Sequence, residues 1–290
     1  MDVCTSPTAQ ETEEFPPPPT RRPGMVRVWR KRIGDDRAQL ARYWPVIQNL
    51  VSQELRVRYQ RSALGFFWTL LNPLLMMTVL SIFFSAMSPG TKNFPVFVFA
   101  GMVPWGFLSG SINECALCII QNEGLIRKIY LPKLVFPISR LLINLVTMAL
   151  SLAVMFLLLF PLGARPSLPM LLLPLALVLF MAFAAGLSLL VATVNTFFRD
   201  CGHLVAVLLQ AWYFATPIVY RAEEVFPARS MWMFRVNPAY YFIELFHALI
   251  YHGQWPALST WLLSFAIATA SLGIGYAAFK SQEDKMVFRL

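Results

Sequence analysis

Apolar positions along this chain do not alternate with polar ones; they run on. Six stretches of at least twenty residues contain no Lys, Arg, Asp or Glu: 62–91, 93–113, 141–164, 166–198, 201–220 and 245–279. A charged side chain at the centre of a bilayer costs about 2.5–3.5 kcal/mol on insertion scales, and about 20 apolar residues cross the hydrocarbon layer. The six windows therefore predict six transmembrane helices, at about 65–87, 94–112, 141–160, 168–194, 203–220 and 257–279. The stretch 166–198 counts once, because two spans and a turn would need about 40 residues. In the last stretch Gly253 and Pro256 interrupt the first dozen residues and delay the span. No 9–11-residue alternating pattern points to a barrel. The predicted fold class is an all-α polytopic membrane protein.

Between and before these spans the pattern changes. Over Val46–Tyr59 the apolar residues Ile47, Leu50, Val51 and Leu55 share one helical face, and Gln48, Asn49, Ser52, Gln53 and Arg56 share the other. This predicts an amphipathic helix in the membrane interface plane. Glu54 falls within the apolar stripe. Either it pairs with Arg58 four residues on, or Glu54 and Arg58 together face another protein at the membrane surface. The loop 121–137 holds Gly124, which is expected to break the preceding helix, and Pro132, which ends whatever follows. Between them Leu125, Ile126, Arg127, Lys128, Ile129 and Tyr130 can form about one and a half helical turns suited to a partner's groove, or a plain basic connection. A further segment, 221–256, is long for a loop. Its apolar run Ala239–Tyr251 is too short to span and predicts re-entrant or interfacial helices.

Composition agrees: 57% of the residues are hydrophobic, and the mean hydropathy is +0.58. With the N-terminus inside, the inner segments 1–61, 115–140, 195–202 and 280–290 carry nineteen of the 24 Lys and Arg residues. The outer segments carry five: Lys92, Arg165, Arg221, Arg229 and Arg235. Positive-inside bias places both termini in the cytoplasm. The net charge of +9 follows from this asymmetry and from anionic lipid headgroups, not from nucleic-acid binding. The first thirty residues lack the apolar core of a signal peptide. Residues 1–35, with Glu11, Glu13, Glu14 and Pro16–Pro19, read as a disordered cytosolic tail, and 36–290 as the transmembrane domain.

Catalytic chemistry is not visible. No Gly is followed by Lys, so a phosphate-cradling GxxxxGK[ST] loop is excluded. Cys115 and Cys118 form a CxxC without the second pair that a zinc site needs, and read as small packing residues. Glu244 and His247 make a single ExxH without partner helices. No metal or cofactor is expected. The spans do carry aromatic surface in Phe66, Phe67, Trp68, Trp105, Trp212 and Tyr213, which suits packing, lipid contact or stacking on sugar rings.

The string Gln53–Tyr59, followed by Arg61-Ser62, Leu64–Trp68 and Leu71–Leu74, resembles the permeases of ABC-2 type polysaccharide exporters. So do Gly101–Trp105, Gly124–Pro132, Asn195 with Arg199-Asp200, and Asn237-Pro238. The likeness covers roughly 40–290. It implies a homodimer joined to two separate ATP-binding cassette subunits, which hold ATP and Mg, and a substrate of lipid-linked O-antigen, teichoic acid or cell-wall galactan. It makes Val46–Tyr59 the interface helix and 122–132 the coupling helix. Leu125, Ile126, Arg127, Lys128 and Tyr130, with Glu54 and Arg58, would then meet the ATPase. A channel on the dimer axis would be lined by the first and fifth spans with Phe66, Phe67, Trp68, Trp105, Trp212 and Tyr213. The segment 221–256, with Asn237, Pro238, Tyr240 and Tyr241, would form the outer gate. Galactan is the chosen glycan, on the Pro-rich tail and the Arg- and Ala-rich composition of a high-GC source. The alternatives are an ABC-2 permease for drugs or small lipids, and a polytopic lipid-linked sugar transferase. The expected location is the bacterial plasma membrane.

Overall fold

The computed structural model describes residues 25–59, 94–129, 131–159, 167–222 and 226–286, with isolated positions between 71 and 82 and residue 289. Apart from those isolated positions the predicted first span, with Phe66, Phe67 and Trp68, lies outside the described residues, as does Tyr130. Every regular element described is helical. Two units divide the chain, 1–42 and 43–290. The first holds helix α1, Met25–Arg42. It begins inside the segment 1–35 that composition reads as disordered. Past Pro23 no proline interrupts the run, five of its eighteen residues are Arg, a good helix former, and Gly34 is its one glycine.

The second unit starts with the amphipathic helix α2, Trp44–Tyr59. As the pattern predicts, Ile47 is buried, Leu50, Val51 and Leu55 are half-buried, and Gln48, Asn49, Ser52 and Gln53 are exposed. Then come α3, Phe94–Gln121, the short α4, Glu123–Lys128, and α5, Val135–Leu159. A 3₁₀ turn, Leu168–Leu172, leads into α6, Leu173–Phe197, followed by α7, Cys201–Ala215. Two short helices, α8, Trp232–Val236, and α9, Pro238–Phe246, precede a π-helical turn at His247–His252. Gly253, at φ 60°, ends that turn in the left-handed region. The last helix is α10, Leu258–Met286.

Four of the described helical segments are long and apolar enough to cross a membrane: Phe94–Gln121, Val135–Phe156, Leu168–Phe197 and Leu258–Met286. They correspond to the second, third, fourth and sixth predicted spans. The fifth, expected at 203–220, is α7, and its 15 residues cover only about 22 Å at 1.5 Å each, against about 30 Å of hydrocarbon. It stops at Ala215 because Thr216 precedes Pro217 and is extended, at φ −108° and ψ 131°. The second span runs on in the other direction. Its helix continues past Ile112 to Gln121, because no breaker intervenes, and so takes in Glu114.

Helices α3 and α6 form the centre. The first packs against α5, α6 and the π turn, and the second most extensively against α10. At the α6–α10 crossing two glycines face each other. A Cβ on Gly275 would overlap the Gly186 carbonyl, and one on Gly186 would overlap the Ser271 backbone. Small residues that let backbones touch are what drives helix association in lipid, where burial of apolar surface brings no gain. The Ser271 hydroxyl donates to the Phe183 carbonyl at 3.0 Å and adds a polar link. The outward faces are apolar too: Leu171, Leu175 and Val178 of the fourth segment, and Leu262, Phe265 and Ile274 of α10, are exposed.

The run Ala239–Tyr251, expected as re-entrant or interfacial helix, is helical within 238–252 and packs into the helix bundle. Phe242, Ile243, Leu245, Phe246 and Leu249 are all buried. Phe242 stacks on Phe183 at 4.7 Å, and Phe246 meets Phe180 edge-on at 5.5 Å. Such ring pairs are worth about 0.5–1.5 kcal/mol each beyond their area.

Candidate functional site

Two ends of this bundle carry polar chemistry. At one, α4 stands between two fixed points. Before it, the Asn122 side chain donates to the Cys118 carbonyl at 2.7 Å and closes the end of α3. The break thus falls at Asn122, and Gly124 lies within the short helix rather than ahead of it, correcting the boundary read from the sequence. After it, Pro132, Leu134 and Val135 are buried, and the Lys133 amide donates to Glu283 Oε1 of α10 at 3.3 Å. Glu283 also pairs with Lys280. Between these anchors Leu125 and Ile126 are half-buried, and Arg127, Lys128 and Ile129 are exposed. Arg127 pairs with Glu123 at 2.8 Å along the same helix. A short rigid helix with an apolar and basic outer surface results.

Beside it, α2 is clamped to the bundle by two ion pairs. Glu54 Oε1 lies 2.9 Å from Arg140 Nη1 on α5, and Arg58 Nη2 lies 2.9 Å from Glu114 Oε1 on α3. The Asn144 amide donates to the other Glu114 oxygen at 2.9 Å. Glu54 and Arg58 therefore do not take each other as partners. Each reaches across to a different helix, and the Glu114 carboxylate is thereby matched by a cation and an amide. A cavity of about 300 Å³ opens next to this clamp, lined by Leu50, Glu54, Asn122, Phe136, Arg140 and Ile143. Nearby, buried Asn195 donates to the Ala116 carbonyl and accepts from the Gly202 amide, both at 2.7 Å. It ties α6, α3 and α7 together, while Arg199 and Asp200 stay exposed. Cys115 and Cys118 are buried, with the Cys115 thiol 3.5 Å from the Pro137 carbonyl.

At the opposite end the aromatic residues converge on Asn237. Its Oδ1 accepts from the Trp212 indole N–H at 2.8 Å and from the Ala239 amide at 3.0 Å. Its Nδ2 donates to Thr216 Oγ1 at 2.8 Å. Asn237 is thus the N-cap of α9, with Pro238 at the first helical position, and a bolt to the end of α7. Trp105 is 7% exposed and meets Trp212 and Tyr213 edge-on at 5.6 and 5.8 Å. It supports those two half-buried rings from behind. Tyr240 and Tyr241 pack edge-on at 5.5 Å, and the Tyr241 hydroxyl donates to the Arg235 carbonyl at 2.8 Å. An aromatic cavity of about 360 Å³ is lined by Trp212, Phe214, Tyr220, Phe226, Phe234 and Pro238.

Loss of the Asn237 amide would strand the Trp212 and Ala239 N–H groups. At about 1 kcal/mol for the cap and about 1 kcal/mol for each further bond, Asn237→Ala should destabilise by about 2–3 kcal/mol. Asn237→Asp, which keeps the acceptor, should do less. Thermal unfolding in detergent, followed by tryptophan emission, measures both.

Glu244 is exposed and His247 buried, so the ExxH does not present two ligands together. Among the described residues no three His, Cys, Asp or Glu lie close enough to share a metal ion. The sequence did not single out Glu114, Arg140, Asn144 or Glu283. Their only signal was polar character at the edge of an apolar window.

The family pattern described as "ABC-2 type transporter" matches residues 45–251. The chain is 32% identical over 250 residues to "O-antigen export system permease protein RfbA" of Myxococcus xanthus, covering 85% of this chain and 96% of that protein. A Klebsiella pneumoniae protein of the same name is 30% identical over 191 residues, 65% of this chain and 73% of the relative. "Polysialic acid transport protein KpsM" of Escherichia coli is 23% identical over 249 residues, 83% and 95% of the two.

Proposed function

This chain belongs to the ABC-2 type transporter family, and on that premise we propose that it is the permease subunit of an ATP-driven exporter of a lipid-linked polysaccharide. The observation that carries this reading is the nearly end-to-end likeness to an O-antigen export permease. The permease works as a homodimer with two separate cassette ATPases, in the bacterial plasma membrane. Residues 1–35 form a cytosolic tail and 36–290 the transmembrane domain. The end that carries α2 and α4 faces the cytoplasm, in keeping with the excess of Lys and Arg in the segments that meet there.

A polymer of many sugars cannot be swallowed by a closing cavity, so a continuous path is needed. A dimer axis supplies one, lined by the first and fifth spans. Phe66, Phe67, Trp68, Trp212 and Tyr213 offer ring faces to the glycan, with Trp105 behind them. Asn237, Pro238, Tyr240 and Tyr241 belong to the outer gate. Leu125, Ile126, Arg127, Lys128 and Tyr130 enter a groove of the ATPase. Glu54 and Arg58 act there by holding α2 in place through Arg140 and Glu114. ATP and Mg sit on the partner, and this chain holds no cofactor. Among glycans, galactan is the choice. Depletion in the source organism should accumulate one lipid-linked glycan inside the cell, and its composition names the substrate. Normal surface glycan after depletion would sink the proposal.

A second measurement tests the division of labour. In nanodiscs the purified permease should hydrolyse no ATP above background, since its sequence lacks any Gly-Lys pair for a phosphate loop. Addition of the cognate cassette subunits should bring hydrolysis. Turnover by the permease alone would overturn the assignment.

A further inference from the structure

Helix α7 is almost uncovered within this chain: Leu209 alone among its fifteen described residues is buried. The uncovered arc is not uniform. At about 3.6 residues per turn, His203, Ala206, Gln210 and Tyr213 fall on one flank of it, and Leu204, Leu208 and Ala211 on the other. All of them are exposed except Tyr213, which is half-buried. One flank is therefore aliphatic, and the other carries an imidazole, a carboxamide and a phenol.

Gln210 is out of place against lipid. The helix starts directly after Arg199 and Asp200, whose exposed charges belong outside the hydrocarbon. Gln210 follows Cys201 by nine residues. At about 1.5 Å each it stands about 14 Å in, near the middle of a layer about 30 Å thick. Its side chain is too short to reach either surface from that depth, as a lysine or arginine would. Among the described residues its amide has no hydrogen-bond partner. An unbonded amide in hydrocarbon is costly, so a polar side chain at this depth faces water or a polar ligand.

The chemistry of the flank selects the ligand. A carboxamide donates and accepts, so it meets sugar hydroxyls whichever way they point, and it has no charge to hold one unit of a moving polymer. An apolar drug or lipid chain would leave it as unsatisfied as hydrocarbon does. Tyr213, three residues further along the same flank, adds a ring face for the C–H surface of a sugar, and Trp105 supports that ring edge-on at 5.8 Å. Ala206, one turn before Gln210, keeps the wall low beside the amide. We propose that Gln210 is a substrate-contact residue of the export path, its amide exchanging hydrogen bonds with the hydroxyls of the passing glycan, while the flank of Leu204, Leu208 and Ala211 is turned away from that path. The proposal rests on the polysaccharide reading above and adds a polar contact to a path otherwise assigned to aromatic rings.

Thiol labelling of the permease with its cassette subunits in nanodiscs tests it, in a Cys4→Ser/Cys201→Ser background that keeps the buried Cys115 and Cys118. A charged methanethiosulfonate attacks the thiolate, which forms in water and not in hydrocarbon. During ATP turnover Gln210→Cys should react at least about tenfold faster than Ala211→Cys, its neighbour at the same depth on the aliphatic flank. In cells Gln210→Leu should lower surface glycan about fivefold, the scale of one lost hydrogen bond, and Gln210→Asn should recover most of it. The melting temperature of Gln210→Leu should not fall. Equal labelling at the two positions, no labelling at either, or normal export by Gln210→Leu would overturn the contact. So would a melting temperature that falls in step with export, which assigns Gln210 to packing. A Gln210→Cys disulfide between two copies without reaction with the reagent marks a helix–helix contact and overturns it too. Surface glycan in cells lacking the permease separates the two levels. If it depends on the permease while Gln210→Leu exports normally, the contact alone fails; if it does not depend on the permease, the polysaccharide reading fails with it.

Discussion

Gly186→Leu should leave the permease unable to form its helix bundle. The α6–α10 crossing brings backbone against backbone: a Cβ at Gly186 already overlaps the main chain of Ser271, and one at Gly275 overlaps the Gly186 carbonyl. Main-chain atoms in two long helices cannot step aside as a flexible side chain would. Overpacking that is usually worth about 1–3 kcal/mol should exceed that range here. The separation would also break the 3.0 Å bond from the Ser271 hydroxyl to the Phe183 carbonyl. It would further disturb the Phe180, Phe183 and Phe242 cluster one turn away. Gly186→Ala should act in the same direction with a smaller effect. Gly273, on the same α10, has open space around its Cβ position, so Gly273→Ala serves as the control and should be nearly neutral. Size-exclusion profiles and melting temperatures in detergent measure all three. A Gly186→Leu protein that stays monodisperse and melts with wild type would refute close backbone packing.

Neither glycine had been marked in the sequence as a crossing point, because the contact joins residues nearly ninety positions apart. The pattern of charge-free windows did locate the long helices, since the lipid requirement acts on each segment by itself. It failed at segment ends. The charge-free window closed the second span before Glu114, whereas α3 runs on to Gln121 and Glu114 is matched by Arg58 and Asn144, partners distant in sequence. The same distance in sequence removes one of the two readings of Glu54, the pair with Arg58. Helix spacing offers it Arg58, but Arg140 on α5 takes it, and a tertiary partner displaced the local one. For α7 the signal was present, as Thr216-Pro217 ends the helix five residues short of the charge-free stretch. The family likeness picked out Gly101–Trp105 and Asn237-Pro238 without a reason, and the fold supplies one. Gly101 makes room for His247, Trp105 backs Trp212, and Asn237 caps α9 while binding the Trp212 indole.

The double variant Arg127→Glu/Lys128→Glu should abolish export while leaving the permease folded. Within the protein the change is small. Arg127 loses a surface pair with Glu123 and gains a like-charge neighbour, an effect of about 0.3–0.5 kcal/mol on a six-residue helix whose ends are fixed by Asn122 and Lys133. Toward a partner the change is large. Two exposed cations beside exposed Ile129 become anions, and like charges set against a complementary groove cost several kcal/mol. Affinity for the cassette ATPase should therefore fall by at least about a hundredfold, which about 2.7 kcal/mol suffices to produce. Co-purification of the two subunits and surface glycan should disappear together. Adding Glu123→Lys restores an opposite-charge pair along α4 without returning the outward charge, so it should rescue neither. If the triple variant does recover export, α4 matters only through its own helicity. If the double variant assembles and exports normally, α4 is a connector and the docking surface lies elsewhere.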